Sequence, residues 1–175
     1  RAGSSFGITK IFRPEELAAA VDLAFEHDDD VIIEENVDGF EVGCAVLGIN
    51  ELTVGRVDEI ELSHGFFDYT EKYNLITSNI YMPARISPET EDRIRNTAKV
   101  IYKALACSGF ARVDMFLTPD NRIVFNEVNT IPGFTSHSRY PSMMKGIGLS
   151  FPEVLDKLIS GFWNVAYDYL KAWNS

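Results

Sequence analysis

Two short stretches hold the residues best suited to chemistry: Arg112-Val113-Asp114 and Glu127-Val128-Asn129. Each places polar side chains two positions apart in an otherwise apolar run, and on a β-strand that spacing puts both on one face. If the intervening Asp120-Asn121 forms a two-residue turn, the stretches make a hairpin with Asp114 opposite Glu127 and Arg112 opposite Asn129. Facing carboxylates repel, so such a hairpin needs a proton or a cation between them. Asp, Glu and Asn offer only oxygen, which suits Mg²⁺, an ion that completes its octahedron with water and substrate phosphate. The plainer alternative is a solvated polar patch in which Arg112 neutralises the acids.

The segment that follows, Thr130-Ile131-Pro132-Gly133-Phe134-Thr135-Ser136-His137-Ser138, concentrates hydrogen-bond donors beside this metal site. A backbone N–H near Gly133 and the hydroxyls of Ser136 and Ser138 suit a carboxylate or an oxyanion, although an irregular segment is as often a plain connection. Gly3-Ser4-Ser5-Phe6-Gly7 is a small-residue loop whose N–H groups suit phosphate; it lacks the lysine of a P-loop and is a weak signal alone. Glu34 and Glu41 flank the exit of an apolar run at Val31 and suit the polar edge of a nucleotide, with ordinary surface acids as the alternative. The histidines share no spacing that builds a zinc site. His27 reads as a helix-end residue complementing the helix dipole.

Composition narrows the partners. With 175 residues, 46% of them apolar, the chain is long enough to bury a core. A net charge of −10 argues against nucleic acid, whose binders cluster Lys and Arg against phosphates. Any phosphate handled here is therefore small, and a metal supplies the missing positive charge. No run approaches the roughly 18 apolar residues of a membrane span. Cys44 and Cys107 stand far apart in apolar runs without a CxxC pair, which reads as reduced core thiols in a cytoplasmic protein. No basic-then-apolar leader is evident, and the start at Arg1 reads as the middle of a domain.

The elements that must position these residues follow from the same pattern. Residues 5–12 alternate as a strand, Pro14 opens a helix to about His27, and residues 31–35 read as a buried strand. Strands are expected again at 41–47 and 54–62, whereas 63–78 fits neither period and reads as a functional loop. Ser87-Pro88-Glu89 caps a helix with apolar positions at Ile94, Ala98, Ile101 and Leu105. Strands at 111–117 and 122–128 lead into a long polar loop. Ser150-Phe151-Pro152-Glu153 is a capping box that opens a last helix to about Trp173. The order predicts an α+β fold of antiparallel hairpins with helices packed on one face.

Taken in order, these pieces resemble the D-alanine–D-alanine ligases of the ATP-grasp superfamily. The matching motifs are Gly3-Ser4-Ser5-Phe6-Gly7, Ile33-Glu34-Glu35 with Glu41, Phe67-Asp68-Tyr69 followed by Lys72-Tyr73, Gly109-Phe110-Ala111-Arg112-Val113-Asp114, and Glu127-Val128-Asn129 running into Pro132-Gly133-Phe134-Thr135-Ser136-His137-Ser138. They span nearly the whole chain, and the last is the most specific. The resemblance implies an α+β ATP-grasp fold, with residues 1–36 a remnant of the central subdomain and residues 37–175 the carboxyl-terminal subdomain, an antiparallel sheet with flanking helices. It implies ATP and two Mg²⁺ ions, or Mn²⁺ in their place. Ser5 and Lys72 would meet phosphate, Glu34 and the backbone around Glu35 and Val37 the adenine, and Glu41 the ribose. Asp114, Glu127 and Asn129 would hold the metals. Arg112 and the N–H of Gly133 would stabilise a tetrahedral oxyanion. Ser4, Tyr73 and Ser138 would form a hydrogen-bonded trio that closes a loop over the site, Ser138 also reaching the carboxylate of the second substrate.

In the implied reaction, the carboxylate of a first D-amino acid attacks the γ-phosphate to give an acylphosphate. The amine of a second then displaces phosphate, forming a dipeptide for peptidoglycan precursors, and the Lys72-Tyr73 pair implies that this nucleophile is an amine. Arg139, directly after Ser138, departs from the aliphatic residue usual in the family. An Arg there resembles the vancomycin-resistance ligases that accept D-serine, the G-type among them, and implies that Arg139 meets the second substrate; a solvent-facing Arg ahead of Pro141 is the alternative. The family's first-substrate domain and a phosphate-binding lysine have no counterpart ahead of Gly3. Expected partners are therefore D-alanine, D-serine, the missing amino-terminal portion of the same enzyme and a second copy in a homodimer, without nucleic acid or membrane. An ordinary D-alanine–D-alanine ligase and a nucleotide-binding module that catalyses nothing are the competing expectations.

Overall fold

Five strands make one sheet: β1 (Phe40–Gly48), a central strand with apolar residues on both faces, β2 (Thr53–Leu62), β3 (Ser78–Tyr81), β4 (Gly109–Leu117) and β5 (Ile123–Asn129). Their order is β3-β2-β1-β4-β5, and the pairs β1–β2, β1–β4 and β4–β5 are antiparallel. The structure, a computed structural model, describes residues 7–62, 78–135 and 137–173. On one face Val42, Cys44 and Val46 of β1, Val54 and Val57 of β2, and Ala111, Val113, Met115 and Leu117 of β4 form a core with Ile94, Ala98 and Tyr102 of helix α2 (Pro88–Ala104). That helix repeats its apolar residues every four positions, which aligns them in one stripe. Ser87 caps it by accepting from the Thr90 N–H at 3.2 Å. Arg56 of β2 forks onto Glu91 at 2.7 and 2.9 Å, and Glu91 also accepts from the Val57 N–H at 3.2 Å, so the helix is fixed in rotation.

The opposite face divides into an apolar and a charged end. At the apolar end Ala45 and Leu47 pack under Tyr140, Met143 and Met144 of α3 (Arg139–Lys145) and Val154 of α4 (Phe151–Trp173). Helices thus cover one face and part of the other, where the sequence pattern had them on a single face. Ser150 and Glu153 form the expected box at the start of α4, the Ser150 N–H donating to Glu153 at 2.7 Å. Helix α3 lies where a polar loop was expected. Both cysteines are free thiols, Cys44 buried and Cys107 half-buried. Burial pushes the Cys44 thiol above its ordinary value. Among the described residues no helix is long and apolar enough to cross a membrane.

Residues 7–36 belong to a compact unit separate from 37–61, 80–135 and 137–173. There a 3₁₀ turn (Pro14–Glu16) leads into α1 (Leu17–Phe25). The expected strand at 31–35 does not form, and residues 7–12 of the other expected strand are irregular; Ile32 and Ile33 are 82% and 69% exposed. A strand persists only where a neighbour takes up its N–H and C=O groups, and no residue from 7 to 36 forms a strand. Gly7, at φ 76°, leaves room for the ring of His27, which a Cβ would strike.

Candidate active site

The β4–β5 ladder sets Asp114 opposite Glu127 and Arg112 opposite Asn129, by a different local route from the one expected. The turn holds three residues rather than two: the Thr118 N–H donates to Arg122 C=O at 3.0 Å, and Asn121 closes the turn at φ 64°. Such a turn alone brings Asn126 opposite Asp114. A bulge between Asp114 and Met115, whose partners step from Glu127 to Phe125, restores the carboxylate pair.

One rung of the sheet runs Asp58–Gly43–Asp114–Glu127 across β2, β1, β4 and β5. On the same face, one rung along, lie Glu41 and Phe116, which are paired; one rung the other way lie Ala45, Arg112 and Asn129. Arg112 grips its neighbour: Nε donates to Asp114 Oδ1 at 2.8 Å and Nη2 to Oδ2 at 2.8 Å. Arg139 descends from the first turn of α3 onto this face. Its Nε and Nη2 fork onto Asp58 at 2.7 Å each, Nη1 donates to Glu41 at 3.2 Å, and Nη2 stands 3.5 Å from Asp114. Its side chain is only 12% exposed, which removes the solvent-facing alternative. Burial acts to lower the guanidinium pKa, but its hydrogen bonds to Asp58 and the charges of Asp58, Asp114 and Glu41 outweigh it and hold the pKa above the ordinary value.

Four carboxylates (Glu41, Asp58, Asp114, Glu127) and two guanidiniums (Arg112, Arg139) leave a formal excess of two negative charges on this face. That excess and the all-oxygen donor set of Asp114, Glu127 and Asn129 fit a hard divalent ion. Among the described residues, however, no three acidic, His or Cys side chains close around a metal position. Asp114 is held by Arg112, and Asn129 Oδ1 accepts from the Ile131 N–H at 3.1 Å. A metal reaching Asp114 must share it with Arg112 or displace it.

Beyond β5, Phe134 is pinned among the rings of Phe110, Tyr140 and Phe151, with centroids at 5.5, 5.7 and 5.0 Å. The Ser138 hydroxyl accepts from the Thr135 N–H at 3.0 Å and lies beside Gly133, where a Cβ would stand 3.0 Å from it. Glu34 and Glu35 are exposed in an irregular stretch of the other compact unit, and Val37 is half-buried ahead of β1. Ser4, Ser5, Phe67, Asp68, Tyr69, Lys72, Tyr73 and Ser136 lie outside the described residues.

Sequence reasoning missed Asp58, Gly43 and Phe116. For Asp58 the signal was present: Glu59 and Glu61 alternate onto one face, where both pair with Arg85, so Asp58 must point to the other. There it is 1% exposed.

Sheet order, antiparallel register and flanking helices define the carboxyl-terminal portion of an ATP-grasp fold. Residues 1–160 match the family model described as D-ala D-ala ligase C-terminus, and the chain belongs to that family. Among solved structures it is similar to the VanG D-Ala:D-Ser ligase from Enterococcus faecalis, with 74% identity and a TM-score of 0.84 over 91% of this chain and 47% of that one. It is 50% identical over 165 residues to a putative D-alanine–D-lactate ligase of Streptomyces coelicolor, covering 91% of this chain and 48% of that protein. Identity with D-alanine–D-alanine ligase A of Escherichia coli K12 is 44% over 158 residues, 90% of this chain and 43% of that protein. The chain thus spans less than half the length of these relatives.

Proposed function

We propose that the chain is the carboxyl portion of an ATP-dependent D-alanine–D-serine ligase, acting in the cytoplasm as a homodimer to make a dipeptide for peptidoglycan precursors, in the setting of vancomycin resistance. The observation that carries this reading is the facing pair Asp114–Glu127, flanked by Arg112 and Asn129, in a member of this ligase family.

On this reading Glu41 meets the ribose, and Phe116, a half-exposed ring on the same face, offers a flat apolar surface to the base. Asp114, Glu127 and Asn129 would hold Mg²⁺, which when bound supplies charge neutralisation for the ATP phosphates. Arg112 and the Gly133 N–H meet the oxyanion that forms when the amine attacks the acylphosphate carbonyl. Ser138 meets the carboxylate of the second substrate, and Ser4, Lys72 and Tyr73 act from the loops that close over the site. Excluding water there protects the acylphosphate from hydrolysis. Glu34, Glu35, Val37 and Ser5 complete the nucleotide contacts. Arg139 sets the preference for D-serine through its hydroxyl.

One observation favours an ordinary D-alanine–D-alanine ligase instead. Three nitrogens of Arg139 already face Asp58, Glu41 and Asp114, so a serine hydroxyl must compete for donors or use those left over. The test is to join the chain to the amino-terminal half of a relative and follow phosphate release from ATP with D-alanine plus D-serine, D-alanine or D-lactate. Preferential turnover with D-serine is expected. No phosphate release with any pair would leave a nucleotide-binding module, and a D-lactate product would overturn the amine nucleophile.

A further inference from the structure

Gly43 occupies the middle of the charged rung, paired with Asp58 of β2 on one side and Asp114 of β4 on the other. The backbone does not demand glycine there, since its φ lies outside the left-handed region. Space does. A Cβ on Gly43 would strike Nη2 of Arg139 and stand 2.7 Å from Oδ1 of Asp58 and 3.0 Å from Oδ1 of Asp114. Meanwhile the Gly43 N–H donates to Asp58 Oδ1 at 3.1 Å, the same oxygen that receives Arg139 Nη2 at 2.7 Å. Backbone, carboxylate and guanidinium therefore meet at one point.

We infer that Gly43 is a positioning residue: its bare Cα is the seat of the Arg139 guanidinium, and the seat sets where the remaining Arg139 donors point. Arg139 has little other means of adjusting. Its Cα belongs to α3, anchored immediately downstream by Tyr140, Met143 and Met144, all fully buried. A methyl at position 43 thus displaces the guanidinium rather than the helix. A planar fork held by two parallel hydrogen bonds tolerates such displacement poorly. The inference rests on the reading that Arg139 meets the second substrate, but the seat can be tested apart from it.

In the complete ligase, Gly43→Ala should lower kcat/KM for D-serine about ten-fold or more beyond any loss for D-alanine, because a displaced donor no longer reads the hydroxyl. A merely structural role would lower both substrates alike and leave their ratio unmoved, which would overturn the inference. The decisive comparison is Gly43→Ala in an Arg139→Leu background, read as the substrate ratio and as Tm. If the methyl acts by displacing the guanidinium, its cost should shrink clearly once the guanidinium is gone, leaving only its close approach to the Asp58 and Asp114 oxygens; fully additive losses would overturn the seat. Should Gly43→Ala fail to fold, recovery of the fold in the Arg139→Leu background supports the seat, and failure of the double variant where Arg139→Leu alone folds overturns it. If Arg139→Leu alone leaves the ratio unchanged, its selectivity role fails, and the coupling in Tm still decides the seat.

Discussion

Buried carboxylates on this face are stabilised by two arginines that reach them differently. Arg112 neutralises Asp114 from two residues away on the same strand, whereas Arg139 crosses from a helix to Asp58, 81 positions back in sequence. Glu127 has neither arginine within the ion-pair contacts described and is exposed. Glu127→Gln should therefore weaken Mg²⁺-dependent nucleotide binding strongly while keeping the fold, since removing a like charge opposite Asp114 stabilises the metal-free chain by about 0.2–1 kcal/mol. An unchanged magnesium titration would take Glu127 out of the metal site. For Arg139→Leu two effects are expected together. In the complete enzyme, kcat/KM for D-serine should fall more than for D-alanine, by about ten-fold if the lost hydrogen bond is worth ~1.5 kcal/mol. Stability should fall by about 3–5 kcal/mol, because Asp58 is left buried without its counter-ion. Equal kinetic losses for both substrates would assign Arg139 to holding Asp58 and Glu41 in place.

Among the elements, α2 is held by one half-buried carboxylate. Glu91 receives both the Arg56 fork and the Val57 N–H, with its side chain 13% exposed against 39% for Arg56. Glu91→Ala should cost about 1–3 kcal/mol, lowering Tm by roughly 2–12 °C for a domain of this size. Arg56→Ala should cost less; equal losses in thermal unfolding would mean that the Val57 contact contributes nothing. Strands β1, β2, β4 and β5 were legible in the sequence, as was the helix opened by Ser87-Pro88, because period and cap agreed there; β3, four residues long and at the end of the sheet order, falls where no strand was expected. The pairing of Asp114 with Glu127 was reached through two compensating features, a turn one residue longer and a bulge one residue wide, neither of which alternation alone reveals. Helix α3 had its signal in Tyr140, Met143, Met144 and Ile147, the i, i+3, i+4, i+7 period, hidden by the polar residues ahead of it. Arg139 was singled out, but its partners came from β1, β2 and β4, and no local pattern names partners so distant.

At the scale of the whole molecule, apolar surface and length point the same way. In the unit of residues 7–36, Ile8, Phe12, Ile32 and Ile33 are 60%, 80%, 82% and 69% exposed. On α4, Val154 and Leu158 face the sheet, while Leu155, Ile159 and Trp163, four residues apart, stand 38%, 68% and 73% exposed on another side. Contiguous apolar patches beyond a few hundred Å² are uncommon on folded monomers and mark surfaces that something covers. The relatives are more than twice as long as the portion matched here, which supplies a candidate for that cover. The 175-residue chain alone should therefore bind an apolar dye such as ANS and release no phosphate from ATP with D-alanine and D-serine. Adding the amino-terminal half of a relative, on the same chain or co-expressed, should lower dye binding and bring phosphate release together, since the first substrate and a further phosphate lysine are expected in that half. Turnover by the chain alone would show that its own residues suffice. Dye binding that stays high while activity appears would mean that the exposed stripes answer to a different partner, and the amino-terminal half would then dock elsewhere.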